Sequence, residues 1–246
     1  KGYLTSDEAE AEYNAGNFKS AVALREKVNL ETGCDKQLIA KNQYLAGYIY
    51  HKKLNNLSKA KAAYNKAMTI HPKGSYVAKA QNKLTALNSE LTANCQKIYE
   101  LSQDKYREGL FQESVEILDI TTRMEGCDVE LRSRAQFYIG WNYANDQFKT
   151  DEAKKAYLKV IEIYPAGIKY VEKAKLKLAA YLTSDEAEAA YKAGDIKGAV
   201  AIREKVAQQP GCDRELAAKN QYLAGYIYQY KLNDPEKAKV AYSKAK

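Results

Sequence analysis

The chain has 246 residues, of which 46% are hydrophobic and 28% charged, with 4 prolines, 21 tyrosines and a net charge of +8. No run of about eighteen apolar residues occurs, which excludes a membrane-spanning helix. The 39 basic residues are interspersed with 31 acidic ones, often three or four positions apart, which favours solvated helix faces over a nucleic-acid surface.

Few prolines and abundant Ala, Lys, Glu and Leu predict helix throughout. Thr5-Ser6-Asp7-Glu8 reads as a capping box opening a short helix that ends at Gly16. The segment FKSAVALREKV follows, with apolar residues at three- and four-residue spacing. Gly33-Cys34-Asp35 then breaks the chain, and Asp35 is available to cap a helix over 35–53 striped by Leu38, Leu45 and Ile49. A turn at Asn55-Asn56 leads into a helix over 59–70, which Pro72 stops, and a further helix is expected at 75–90. The same order recurs at 92–107, 110–125, 128–146 and 149–164, then Pro165, then 168–181. Thr183-Ser184-Asp185-Glu186 repeats the capping box, with Gly194 and IKGAVAIREKV behind it. No strand pattern appears.

Residues Tyr3 to Met68 return as Tyr181 to Lys246 at a fixed offset of 178, with roughly two positions in three unchanged. NQYLAGYIY returns letter for letter at 220–228, and a more diverged copy lies between. Gly33-Cys34-Asp35, Gly126-Cys127-Asp128 and Gly211-Cys212-Asp213 mark the series. The expected organisation is three units, 1–91, 92–182 and a shortened 183–246, forming one continuous array that buries its core between neighbours. The chain starts at Lys1 without a methionine and stops at Lys246 inside an expected helix, so both ends read as cut.

NQYLAGYIY…AKAAYNKAMTIHP resembles the tetratricopeptide repeat, whose two helices carry a small residue, Tyr, Ala, aromatic, Ala and Pro at set offsets. Here these are Gly47, Tyr50, Ala60, Tyr64, Ala67 and Pro72, then Gly140, Tyr143, Ala153, Tyr157, Val160 and Pro165, then Gly225, Tyr228, Ala238, Tyr242 and Ala245. The resemblance implies an all-α, right-handed α-solenoid of antiparallel helix pairs, and a protein-interaction scaffold. HPKGSYVAKAQNKL and the segment ending KAKLKL resemble bacterial envelope members, namely the outer-membrane-assembly lipoproteins and the Tol–Pal coordinator group.

Such arrays bind partners on a concave face lined by the first helix of each pair. In this register Lys41, Tyr44 and Tyr48, then Arg134, Phe137 and Trp141, then Lys219, Tyr222 and Tyr226 fall there. Each triad is a basic residue followed by aromatics at i+3 and i+7, on one helix face. Two readings stay open: a ladder that stacks on an extended peptide or glycan, or packing between neighbouring helices. The carboxylate-clamp form of the family needs an asparagine where Tyr48, Trp141 and Tyr226 stand, so a chaperone-tail receptor is not expected.

Cys95 and Cys127 sit at neighbouring ends of an expected antiparallel pair and are a candidate disulfide, which implies an oxidising compartment. The alternative is four free thiols in a cytoplasmic protein. Cys34 and Cys212 have no evident mate and are candidate intermolecular thiols. No CxxC, phosphate loop, nucleophile elbow or HExxH occurs, so neither metal, cofactor nor catalysis is expected. The combined expectation is a non-catalytic scaffold for a protein or peptide segment, in a bacterial periplasm or envelope or outside the cell. Its rival is a structural protein that stacks other copies of itself end to end into polymers.

Overall fold

The computed structural model describes residues 1–147 and 149–245; Lys246, where the expected final helix stops, lies outside them. Among the described residues there are twelve α-helices and no strand. They are α1 (Gly2–Asn14), α2 (Phe18–Val28), α3 (Lys36–Lys52), α4 (Leu57–Ile70), α5 (Tyr76–Arg107) and α6 (Phe111–Arg123). There follow α7 (Val129–Asn145), α8 (Thr150–Ile163), α9 (Ile168–Lys192), α10 (Ile196–Val206), α11 (Arg214–Tyr230) and α12 (Pro235–Lys244). The chain forms two compact units, Lys1–Cys95 and the residues from Gln96 onward.

In the first unit α1 packs on α2, α2 on α3 and α3 on α4, and short turns make successive helices antiparallel. Helices α3 and α4 approach closely at Gly47, where a Cβ would sit 2.7 Å from the Tyr64 ring. Absence of a side chain on α3 therefore admits the fully buried ring of α4. Ala21, Ala46, Ile49, Ala60 and Leu87 complete this core, the last from the first half of α5.

The second unit repeats the device. Gly140 faces Tyr157 between α7 and α8, and Gly225 faces Tyr242 between α11 and α12, each with a hypothetical Cβ 2.7 Å from the ring. Tyr99, Val115, Leu118 and Ala135 form one core; Phe137, Tyr157, Val160, Tyr170 and Ala174 form another; Ala199, Ala224, Ile227 and Ala241 form a third.

The Gly-Cys-Asp strings turn as their composition dictates. Gly33, Gly126 and Gly211 adopt φ of +79°, +90° and +84°, a region that side chains disfavour. Asp35 and Asp128 then accept the amides of Leu38 and Leu131, each at 2.7 Å, capping α3 and α7. Asp213 makes no such cap; its carboxylate takes the Lys177 ammonium and, at 3.0 Å, the Tyr181 hydroxyl.

The two capping boxes do not form. Thr5 lies inside α1 and Thr183 inside α9, where the Thr183 hydroxyl donates to the Ala179 carbonyl at 3.0 Å. Likewise α5 runs unbroken through 91 and 92, where two helices were expected. No Gly or Pro interrupts either stretch, so each helix continues.

Ser6 and Ser184 instead serve a buried polar network. Asn42 exchanges hydrogen bonds with Ser6 (3.2 and 3.1 Å), donates to the Leu38 carbonyl (3.0 Å), and receives Arg25 (3.1 Å). Arg25 also pairs with Glu10. Ser184, Asn220, Arg203 and Glu188 reproduce every one of these contacts in the second unit.

Candidate partner-binding site

The three triads lie on α3, α7 and α11, and the same spacing places each on one helix face. Their surroundings differ. On α3, Lys41 is exposed, while Tyr44 is half-buried between Tyr64 (ring centroids 5.9 Å apart) and Tyr76 of α5 (5.5 Å). Burial holds the Tyr44 phenol above its ordinary pKa, with Tyr48 and Tyr76 adding to the effect. Tyr48 is half-buried, with the Lys83 ammonium of α5 5.9 Å above its ring.

On α7, Arg134 is half-buried and stacks its guanidinium 4.6 Å over the Tyr99 ring. Phe137 is buried between Tyr157 (5.4 Å) and Tyr170 of α9 (5.6 Å). Trp141 keeps part of its surface and carries the Lys177 ammonium of α9 at 4.9 Å. Phe137, Tyr138, Trp141, Lys173, Leu176 and Lys177 border an open cavity of about 320 Å³, mostly apolar with a cationic edge.

On α11, Lys219 is exposed, Tyr222 is 56% exposed and Tyr226 40% exposed. Tyr222 rests on Tyr242 (5.6 Å), and Tyr226 on Tyr230 (4.9 Å). The lysines that ride on Tyr48 and Trp141 come from α5 and α9 and lie outside the face expected from the sequence. The signal was available in the related strings at 76–80 and 170–174, whose first lysine is followed by another four positions on.

Cys34 and Cys212 are free and half-buried. Burial and the Asp213 carboxylate push the Cys212 thiol up to about 11. Cys95 and Cys127 are both buried. Among the described residues no group of three or more His, Cys, Asp or Glu is placed to hold a metal ion, and no helix is long and apolar enough to cross a membrane.

Two stretches match family models described as tetratricopeptide repeat: residues 40–73, covering most of α3 and all of α4, and residues 134–166, covering most of α7 and all of α8. Gly47, Tyr64 and Pro72, and Gly140, Tyr157 and Pro165, lie inside them. No curated protein matches the chain. Among solved structures, the crystal structure of BtubC (BKLC) from P. vanneervenii aligns at 14% identity over 99% of this chain and 79% of that chain. Its TM-score is 0.26.

Proposed function

We propose that this chain is a non-catalytic scaffold of the tetratricopeptide-repeat family that holds a segment of a partner protein on the first-helix faces of its pairs. The two matched repeats support the family and, with it, a protein partner. The observation that carries the site is the triad set: at the outer aromatic of each, Tyr48, Trp141 and Tyr226 keep accessible ring surface beside cations or open solvent. A rigid aromatic platform of this kind contacts a partner with little ordering of its own. Lys41, Tyr44, Arg134, Phe137, Lys219 and Tyr222 form the rest of the proposed concave face, with Tyr44 and Phe137 setting the platform from beneath. Peptides selected on the immobilised full chain should lose roughly tenfold or more in affinity to the Tyr48→Ala, Trp141→Ala and Tyr226→Ala variants. Affinity unchanged in all three removes this face.

The envelope or extracellular setting rests on the resemblance at 71–84 and on a Cys95–Cys127 bridge. The repeat register supports that bridge. Cys34 and Cys212 have Gly2 and Ala180 at the position that Cys95 fills, and a Cβ on Gly2 would meet the Cys34 sulfur. Non-reducing mass analysis tests it, and four free thiols would remove it.

End-to-end polymers are the second reading, favoured by the exposure of Tyr3 (64%) and Leu4 (67%) on α1 together with Tyr222 on α11. Polymers grow with concentration in sedimentation, whereas a monodisperse chain excludes them.

A further inference from the structure

Trp141 is the one tryptophan of the chain, and it forms a wall of the open cavity between α7 and α9 in the second unit. Phe137 and Leu176 supply further apolar wall. The loop before α11 closes another side: Gly211 comes so near α9 that a Cβ on it would stand 2.6 Å from the Leu176 Cβ. Two residues on, the Asp213 carboxylate holds the Lys177 ammonium, which rests 4.9 Å from the Trp141 ring centroid. That carboxylate is 1% exposed, so it pins the lysine against the indole and the cavity stands preformed. At about 320 Å³ it lies at the small end of ligand sites, a size that suits one large side chain.

The charge beside it is unbalanced. Over residues 168–178, α9 carries Lys169, Lys173, Lys175 and Lys177 against the single acid Glu172. Glu172 takes Lys175 at 2.8 Å, and Asp213 takes Lys177. Among the described residues Lys169 and Lys173 have no carboxylate; both rest on the Tyr170 ring, at 5.6 and 5.3 Å. Lys173 is exposed and stands at the edge of the cavity.

We infer that this cavity takes an aromatic side chain of an extended partner segment, whose neighbouring acidic residue pairs with Lys173. The claim rests on the scaffold reading and gives the middle triad a partner chemistry, an aromatic residue beside Asp or Glu. The ring fills the apolar walls, and the carboxylate meets the cation that the chain itself leaves unpaired. The site belongs to the middle copy. Helix α5 has Asn82 where α9 has Leu176, and α3 has Tyr48 where α7 has Trp141, so the first copy offers the same ligand a more polar face.

The probe is the end-blocked peptide Gly-Ser-Asp-Phe-Glu-Ser-Gly, titrated into the full chain while the emission of Trp141 is followed with excitation beyond the tyrosine band. The expected result is a saturable change in that emission, abolished when Ala replaces Phe in the peptide. Asn and Gln in place of Asp and Glu should weaken binding about threefold to fivefold, as for an exposed ion pair. In the chain, Leu176→Asn, which imports the residue of the first copy, should weaken it roughly tenfold. Lys173→Gln should cost the same factor as the neutral peptide, and the two changes together no more than either alone. Leu158→Ala, at an exposed apolar position of α8, should leave binding unchanged. Leu176 is 45% exposed and Lys173 is exposed, so their variants fold, and circular dichroism confirms that in the same samples.

No saturable change, or binding indifferent to Leu176→Asn, overturns the inference. Equal affinity for the neutral peptide overturns it too, because the cavity then selects apolar bulk alone. Phenylacetate, an aromatic carboxylate without a peptide backbone, is titrated alongside; tighter binding than the peptide assigns the cavity to a free acid instead. Library-selected peptides that need Trp141 yet carry no aromatic–acidic pair overturn the inference and leave the scaffold standing.

Discussion

The helix pair containing α6 and α7 solves its core differently from the pairs around α2–α3 and α10–α11. In the outer two, Arg25 and Arg203 are buried to 2% and 3% exposure and are tied to Asn42 and Asn220. At the corresponding positions of the middle copy stand Leu118 and Ala135, and Tyr99 replaces Ser6 and Ser184. Those three pack into one apolar cluster with Val115 and Ile139. One backbone plan thus accepts either a buried polar network or a mainly apolar cluster. A buried ionic network need not be more stable than well-packed apolar side chains of similar volume. The strongest needs are met: the Asn42 and Asn220 side-chain oxygens each have two donors and each arginine has a carboxylate, while Nε of Arg25 and of Arg203 is left without a partner.

The sharpest way to break this comparison is to remove one member. Arg203→Ala deprives Asn220 of a donor and opens a void, and should destabilise by about 3–5 kcal/mol in urea unfolding. The combined change Ser184→Tyr, Arg203→Leu and Asn220→Ala copies the middle core and should recover most of that loss. If Arg203→Ala alone is neutral, the network is incidental to stability.

A smaller effect separates the third copy from the other two. A methyl group on Gly47, Gly140 or Gly225 would press on a tyrosine ring at the same 2.7 Å. Tyr64 and Tyr157 are fully buried and have nowhere to go, whereas Tyr242 is only half-buried. Gly47→Ala and Gly140→Ala should each be destabilising by about 1–3 kcal/mol, typical of overpacking. Gly225→Ala should lower the melting temperature less, because Tyr242 can swing toward solvent. Equal shifts at all three sites would mean that Tyr242 is held as firmly as its counterparts.

The pairs themselves were legible in the sequence. Apolar spacing located the helical stretches, though it divided α5 and α9, and the Gly47–Tyr64 register gave the all-α, tetratricopeptide-like pairing that the fold has. Continuity through Thr183-Ser184-Asp185-Glu186 was not legible, since Thr-x-x-Glu has the same letters at a helix start and in its interior. Nor was the burial of Arg25. FKSAVALREKV puts Arg25 four positions after Ala21, on the apolar face, but its acceptability depends on Asn42 and Ser6 from other helices. The triads were legible as faces. Whether a ring is covered, like Phe137, or open, like Tyr222, depends on which helix lies across it, and no local pattern on α7 or α11 encodes that.

Acid offers the mildest test of the comparison, because the middle copy has Gln103 where the third has Glu188. The hydrogen bond from Arg203 holds the Glu188 carboxyl below its ordinary pKa. A depressed folded-state pKa means that the unfolded chain binds the proton first as pH falls. Glu188 therefore contributes its share of stability above the unfolded value of about 4.3 and loses it as pH drops through the lower folded value. Amide exchange on α9 and α10 should accelerate over that window, while α6 and α7 gain no such dependence from Gln103. Glu188→Gln should flatten the response of α10 without changing that of α6. Because the carboxylate is partly solvated, at 45% side-chain exposure, the effect should be small beside the loss of Arg203 itself. A steep acid transition that persists in the variant would place the sensitive carboxylate elsewhere.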